Sequence, residues 1–296
     1  MFHFLDQPMK KQSAMFLVLA SSSVYGLLWI PLRIIEEFGL TGIWSGLFFT
    51  FVPVPLLCWL FGKNLLADRK HWRVYFFAGT AIGIGWMCYT LGLILGSVTK
   101  TTLLFYLTPV WSSLLGLVFL KEKPKLMLWI ANFLGLAGCA LIFKLSPSSL
   151  VIDQIDLLGL ASGIFWSIGS VIIKGYPNAD YKNTTLVQYF AGTMVGLIAV
   201  YSTGLSMPPL SSFANALPLT AFVSIVIILP PLMIIFRLTQ YISPTILGIL
   251  MLSEVFVAVV TASIFLGEYM SPSQWLGAGM IILTALLVTF SERKET

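Results

Sequence analysis

The chain has 296 residues, of which 58% are hydrophobic and only 10% charged, with a formal net charge of +5 and a mean hydropathy of +0.93. A soluble domain carries roughly a quarter charged residues, so this composition excludes an ordinary water-soluble fold. The positive balance does not by itself indicate nucleic acid, because its placement along the chain has a simpler cause.

A helix needs about 20 apolar residues to cross the hydrocarbon core. Ten such runs follow one another, at approximately 14–35, 40–61, 73–95, 99–120, 125–144, 156–174, 184–204, 217–237, 243–266 and 272–290. Barrel strands would be about ten residues long and would alternate, which these runs do not. The first run follows MFHFLDQPMKKQ and resembles a secretory signal, but its apolar stretch continues to about Ile35, too far for one. It is expected to stay as an uncleaved helix. With ten crossings both termini share a side, and alternate loops put every Lys and Arg except Arg33, Lys100 and Lys144 on that side. Such a bias marks the cytoplasm and accounts for the net charge.

In chain order, the first run brings Tyr25 and Trp29 to membrane depth, with Pro31 beyond them. The second carries Pro53 and Pro55, each of which removes a backbone hydrogen bond and bends its helix. The third holds Trp86 and Tyr89, the small-residue pairs Gly79/Gly83 and Gly92/Gly96, and GIGWMC (83–88), which lacks the third glycine of a phosphate loop. The fourth begins at Lys100, a residue able to snorkel to the interface, and aligns the hydroxyls of Thr101, Thr108 and Ser112 at spacings of seven and four, beside Tyr106, Pro109 and Trp111. Trp166 lies in the sixth run, Gln188 and Tyr189 in the seventh, and Pro230/Pro231 in the eighth. Buried Trp and Tyr need partners for their polar tips. The three cysteines, Cys58, Cys88 and Cys139, all fall inside apolar runs and suggest neither a disulfide framework nor a metal site.

The ninth run contains a single charge, Glu254, the twelfth residue of 24. An ionised carboxylate near mid-bilayer costs at least about 3 kcal/mol, so the group is a candidate proton carrier or the counter-ion of a bound amine. Its helical face includes Leu247, Leu250, Met251, Ala258 and Thr261. The bland alternative is a protonated acid hydrogen-bonded to a neighbouring helix.

Two internal alignments organise the chain. At an offset of 141, LASSSVYGLLWIPLR (19–33) faces LASGIFWSIGSVIIK (160–174). At an offset of 146, the fourth and fifth runs face the ninth and tenth, with Ser97/Ser243, Thr99/Thr245, Leu120/Leu266, Glu122/Glu268 and Trp129/Trp275 coinciding. Residues 1–147 and 148–296 then form two five-helix repeats in one integral membrane domain, and an odd helix number turns the second upside down, an arrangement used by alternating-access carriers. The predicted fold is an all-α polytopic membrane protein of ten transmembrane helices as two inverted five-helix repeats.

The duplicated unit, with LTPVWSSLLGLVFLKE (107–122) and LSEVFVAVVTASIFLGE (252–268) in equivalent places, resembles the EamA-type branch of the drug/metabolite transporter superfamily. That resemblance implies a secondary transporter of a small organic solute, with runs 1, 3, 4, 6, 8 and 9 around a central cavity. Amino acids or related metabolites, exported, are the family-weighted expectation, and uptake or exchange of a nucleoside, vitamin or other metabolite is the alternative. The chain departs from the family pattern at Thr108, where an acid is usual, and at Val255, where proline is usual. The expected location is a bacterial inner membrane, with both termini cytoplasmic. Candidate substrate-binding residues are Tyr25, Trp29, Trp86, Tyr89, Tyr106, Thr108, Trp111, Ser112, Trp166 and Gln188, with Glu254 coupling a proton. Membrane lipid is an expected partner; no nucleic acid, metal or cofactor is expected, and the sequence contains no Walker motif. An intramembrane enzyme would need a buried nucleophile–base pair, yet His3 and His71 lie outside the runs and no paired Asp is buried. A structural subunit has no evident use for a duplicated inverted unit.

Overall fold

A computed structural model describes residues 9–145, 153–266 and 269–291. The expected 147/148 boundary, together with His3, Glu268, Arg293 and Lys294, lies outside them. Ten apolar helical spans appear among the described residues: α1 (Lys11–Glu37), α2 (Ile43–Ala67), α3 (Arg69–Leu95), α4 (Lys100–Leu120), α5 (Leu126–Ile142), α6 (Leu157–Gly175), α7 (Tyr181–Thr203), α8 (Leu210–Thr239), α9 (Pro244–Phe265) and α10 (Pro272–Ser291). They match the ten predicted runs one for one. α8 starts at Leu210 rather than at 217, because the helix begins directly after Pro208–Pro209 and includes a polar first turn that hydropathy alone trims. At 17 residues α5 is the shortest, about 25 Å at helical rise.

Several spans are interrupted. α1 divides into Lys11–Tyr25 and Trp29–Glu37, and α2 into Ile43–Phe51 and Pro53–Ala67, at a proline that supplies no N–H. α8 winds as a π-helix over Phe222–Ile228 before Pro230 and Pro231. α4 breaks after Phe105 and resumes at Thr108 with Pro109 in its first turn. α9 breaks after Met251 and resumes at Ser253. Leu252, the residue between those two segments, stands 146 positions after Tyr106, the first residue of the α4 break, so equivalent spans are interrupted at equivalent places. Both breaks tighten into three-residue turns, with Leu107 N–H donating to Leu104 O at 3.3 Å and Val255 N–H donating to Leu252 O at 3.1 Å. Paired interruptions in corresponding spans are the usual mark of a transporter's binding region.

Small residues bring the spans close together. A Cβ on Gly83 of α3 would lie 2.6 Å from Gln188 O of α7, and one on Gly159 of α6 would lie 2.6 Å from Thr101 O of α4. α5 and α10 meet back to back at Gly138 and Gly277, a pair with no sequence signal at four-residue spacing. Near the basic end, fully buried Tyr75 donates to Asp68 at 2.5 Å and accepts from the Asp180 amide at 2.9 Å, joining the α2–α3 connection to the start of α7. Ser243 donates to Glu122 at 2.7 Å.

Toward the other end Lys100 pairs with Asp156 at 2.9 Å instead of only snorkelling, and the Asp156 side chain is 1% exposed. Burial works against the Asp156 carboxylate, but the Asp153 amide and the Lys100 ammonium outweigh it and hold the group below the ordinary carboxylate value. Lys100→Met removes the cation facing Asp156 and leaves its carboxylate only the Asp153 amide, so a lowered Tm is expected. A depressed folded value means the contribution is present above pH ~4 and lost as pH falls through it, so the Tm difference between wild type and variant should shrink under acid.

Candidate functional site

The interrupted spans converge on an interior chamber lined by Tyr25 and Leu28 of α1, Gly85, Trp86 and Tyr89 of α3, Phe105 of α4, Trp166 of α6, Ile235 of α8, and Met251 and Glu254 of α9. Each polar side chain arrives for a local reason. Tyr25 is the last residue before the α1 break, and Gly26 just after it lies so near α9 that a Cβ there would be 2.5 Å from Glu254 O. Glu254 occupies the first turn of the second α9 segment, directly after the break at Leu252. Trp86 and Tyr89 share one face of unbroken α3, beside Gly85, where a Cβ would lie 3.0 Å from Ser162 O of α6.

Aromatic rings fix one another around the acid. Tyr25 meets Trp86 edge-on with centroids 6.4 Å apart, and Tyr89 lies 4.8 Å from Phe105. The Trp86 indole donates to Thr50 Oγ1 at 3.1 Å, and the Tyr25 hydroxyl reaches Ile228 O at 3.4 Å, at the end of the α8 π-helix. Tyr106, buried at the α4 break, is an electrostatic neighbour of the Glu254 carboxyl. Glu254 is only partly buried, its remaining surface facing the chamber. The free volume is about 40 Å³, room for a few waters at about 10–15 Å³ each by the same measure. An organic solute therefore requires the walls to separate, and the breaks in α1, α4 and α9 are the places where they can bend.

Five of the sequence candidates, Tyr25, Trp86, Tyr89, Trp166 and Glu254, stand together in this lining. Gln188 lies in a small adjoining space that shares Tyr25 and Trp86 with it, and its Oε1 is buried without a partner among the described residues. Thr108 and Ser112 instead face α6: Thr108 donates to Phe105 O, Ser112 donates to Ser167 Oγ at 3.0 Å, and Ser167 reaches Thr108 O at 3.1 Å. Trp29 ties α1 to α9 through Thr261 Oγ1 at 3.3 Å. The buried indole N–H of Trp111 has no partner among the described residues. Leu28, Phe105 and Ile235 were not foreseen, since an apolar wall residue looks like any other core position; Met251 had been placed on the face of Glu254. Among the described residues no cluster of His, Cys, Asp or Glu could hold a metal.

A carboxylate ringed by aromatic faces can hold a cationic group, by direct attraction and by the negative faces of the rings. Comparison with known proteins agrees with transport. The model of the EamA-like transporter family matches residues 12–144 and 154–290. The S-adenosylmethionine uptake transporter of Rickettsia conorii is 25% identical over 247 residues, 83% of this chain and 81% of that protein. The uncharacterized transporter YwfM of Bacillus subtilis is 24% identical over 68% of this chain and 67% of its own length. The uncharacterized transporter YoaV of Bacillus subtilis is 26% identical over 53% of this chain, which spans about half (56%) of that relative. A crystal structure aligns with TM-score 0.72 over 95% of this chain and 98% of its own, at 14% identity, a likeness of fold alone. The family match covers both halves of the bundle that enclose the chamber, and the chain belongs to the EamA-like transporter family, as an integral membrane transporter and not an enzyme.

Proposed function

We propose that this chain takes up a small organic cation carrying a planar group, by alternating access, with Glu254 holding either a proton or the cation. The observation that carries the reading is the single acid at the meeting point of three interrupted spans, inside an aromatic wall. A bare charge there is costly, so the carboxyl is neutralised by one partner or the other; the two cross in opposite directions, so uptake runs on an outward proton gradient, on exchange for an internal cation or on the solute's own gradient, and an inward proton gradient opposes it. Tyr25, Trp86, Tyr89 and Trp166 would stack on the solute, Tyr106 would position the carboxyl, and Gln188 would meet a polar group at the far side of the Tyr25–Trp86 pair. Thr108, Ser112, Trp29 and Trp111 would act by holding α4 and α1 in place. Two inverted five-helix halves, split near 147/148 and rocking about the paired breaks, would expose the acid to each side in turn, with both termini in the cytoplasm of a bacterial cell. The cation class is supported by the relatives named for S-adenosylmethionine uptake, because that molecule combines a sulfonium charge with a purine ring. It replaces amino acid export as the leading reading.

The experiment is uptake into proteoliposomes. With an outward proton gradient, labelled S-adenosylmethionine should accumulate and be competed by unlabelled S-adenosylmethionine and not by leucine. Absence of that uptake, together with efflux of a preloaded neutral amino acid, would overturn the reading.

A further inference from the structure

Around the basic end of α3 the molecule has a second concavity, on its outer surface and unrelated to the chamber. Leu65 and Leu66 of α2, Trp72, Arg73, Tyr75, Phe76 and Phe77 of α3, and Val187 of α7 enclose about 470 Å³. The floor and sides are apolar, and Leu66, Phe76 and Phe77 are each about 60% exposed (64%, 60% and 58%). Arg73 belongs to the lining, Arg69 lies over Trp72 at its edge, and Lys70 stands between them in the chain; all three are exposed. Trp72 is anchored by donating to Leu65 O at 2.6 Å, and Arg69 lies 5.8 Å above its ring. Two acids are near: Asp68 is engaged by Tyr75 and His71, hydrogen bonding from Tyr75 above all holding its carboxyl below the ordinary value, and the Asp180 carboxylate accepts from the Lys182 amide at 3.0 Å.

An apolar groove beginning where a membrane span begins, with three exposed cations and two acids already engaged in hydrogen bonds beside it, matches a molecule with a phosphate at one end and an acyl chain at the other. We infer that this groove binds one anionic phospholipid, its phosphate on Arg69, Lys70 and Arg73 and its chain against Phe76, Phe77 and Leu66. Charge complementarity selects the headgroup, and the aromatic walls distinguish the site from general attraction of basic loops to lipid surfaces. Since Tyr75 lines the groove and also ties the α2–α3 connection to α7, the lipid would brace that tie.

The test uses the purified full chain in detergent, with phosphatidylglycerol or phosphatidylcholine of identical chains added, read by native mass spectrometry and by Tm. Phosphatidylglycerol should be retained at one copy and raise Tm by about 3 °C, and phosphatidylcholine should do neither. Lys70→Gln/Arg73→Gln should abolish retention and shift, while Lys121→Gln/Lys123→Gln, on another exposed basic loop, should keep both. Equal response to the two lipids, or equal loss in the two double variants, overturns the site. Glycerol 3-phosphate reproducing the shift would also overturn it, since the groove would then be a soluble-anion site. Phe76→Ala separates chain from headgroup: weaker retention is expected, and unchanged retention contradicts the acyl assignment.

Discussion

Glu254→Gln is expected to abolish proton-driven accumulation of substrate while the protein remains folded and monodisperse. Glutamine has the shape of the protonated acid, so packing beside Tyr106 survives, but it can neither release a proton nor neutralise a cation. A hydrogen-bonded charge contributes about 1.5–3 kcal/mol, which at 1.4 kcal/mol per decade predicts cation binding weakened by about ten- to a hundredfold. Flux with and without a pH gradient, in the same vesicles, reads the two effects separately. Unchanged gradient dependence in the variant would remove Glu254 from coupling, and an unfolded variant would support the purely structural alternative.

The second large effect is expected at Gly26→Val. At that position a side chain would start 2.5 Å from Glu254 O, 2.8 Å from Val257 Cβ and 2.9 Å from Ala258 N. Two of these are backbone atoms, so α1 and α9 must move apart where both are interrupted. Overpacking of this kind costs about 1–3 kcal/mol, and displacement of the acid should cost transport far more than stability. Gly279→Ala of α10 is the control, because nothing lies within 4 Å of its Cβ position; it should leave flux and Tm near wild type. Flux by Gly26→Val at the level of Gly279→Ala would show that contact between α1 and α9 does not shape the site.

What could be foreseen from sequence divides along physical lines. Spans were legible because a 20-residue apolar run leaves the chain no alternative in lipid. Proline foretold the breaks in α2 and α4, but α9 carries no proline between Pro244 and Pro272, and only its alignment with α4 at an offset of 146 anticipates a break at Leu252. Glu254 and the deep aromatics were visible because polar tips in apolar runs demand partners. Spacing puts the hydroxyls of Thr101, Thr108 and Ser112 on one face of α4, yet it tells which residues share a face and not what that face meets. Here it meets Ser167 of α6. Gly26 passed unnoticed for the same reason: a lone glycine shows its purpose only when the backbone pressed against it is known.

Proton release on binding goes most directly to the central claim, that one carboxyl alternates between proton and cation. S-adenosylmethionine is added to the detergent-solubilised protein in weak buffer with a pH indicator, across a series of pH values. About one proton per bound cation should appear at pH values where the free carboxyl is protonated, and none from Glu254→Gln. Saturable binding by the wild type with no proton release at any pH would contradict the claim.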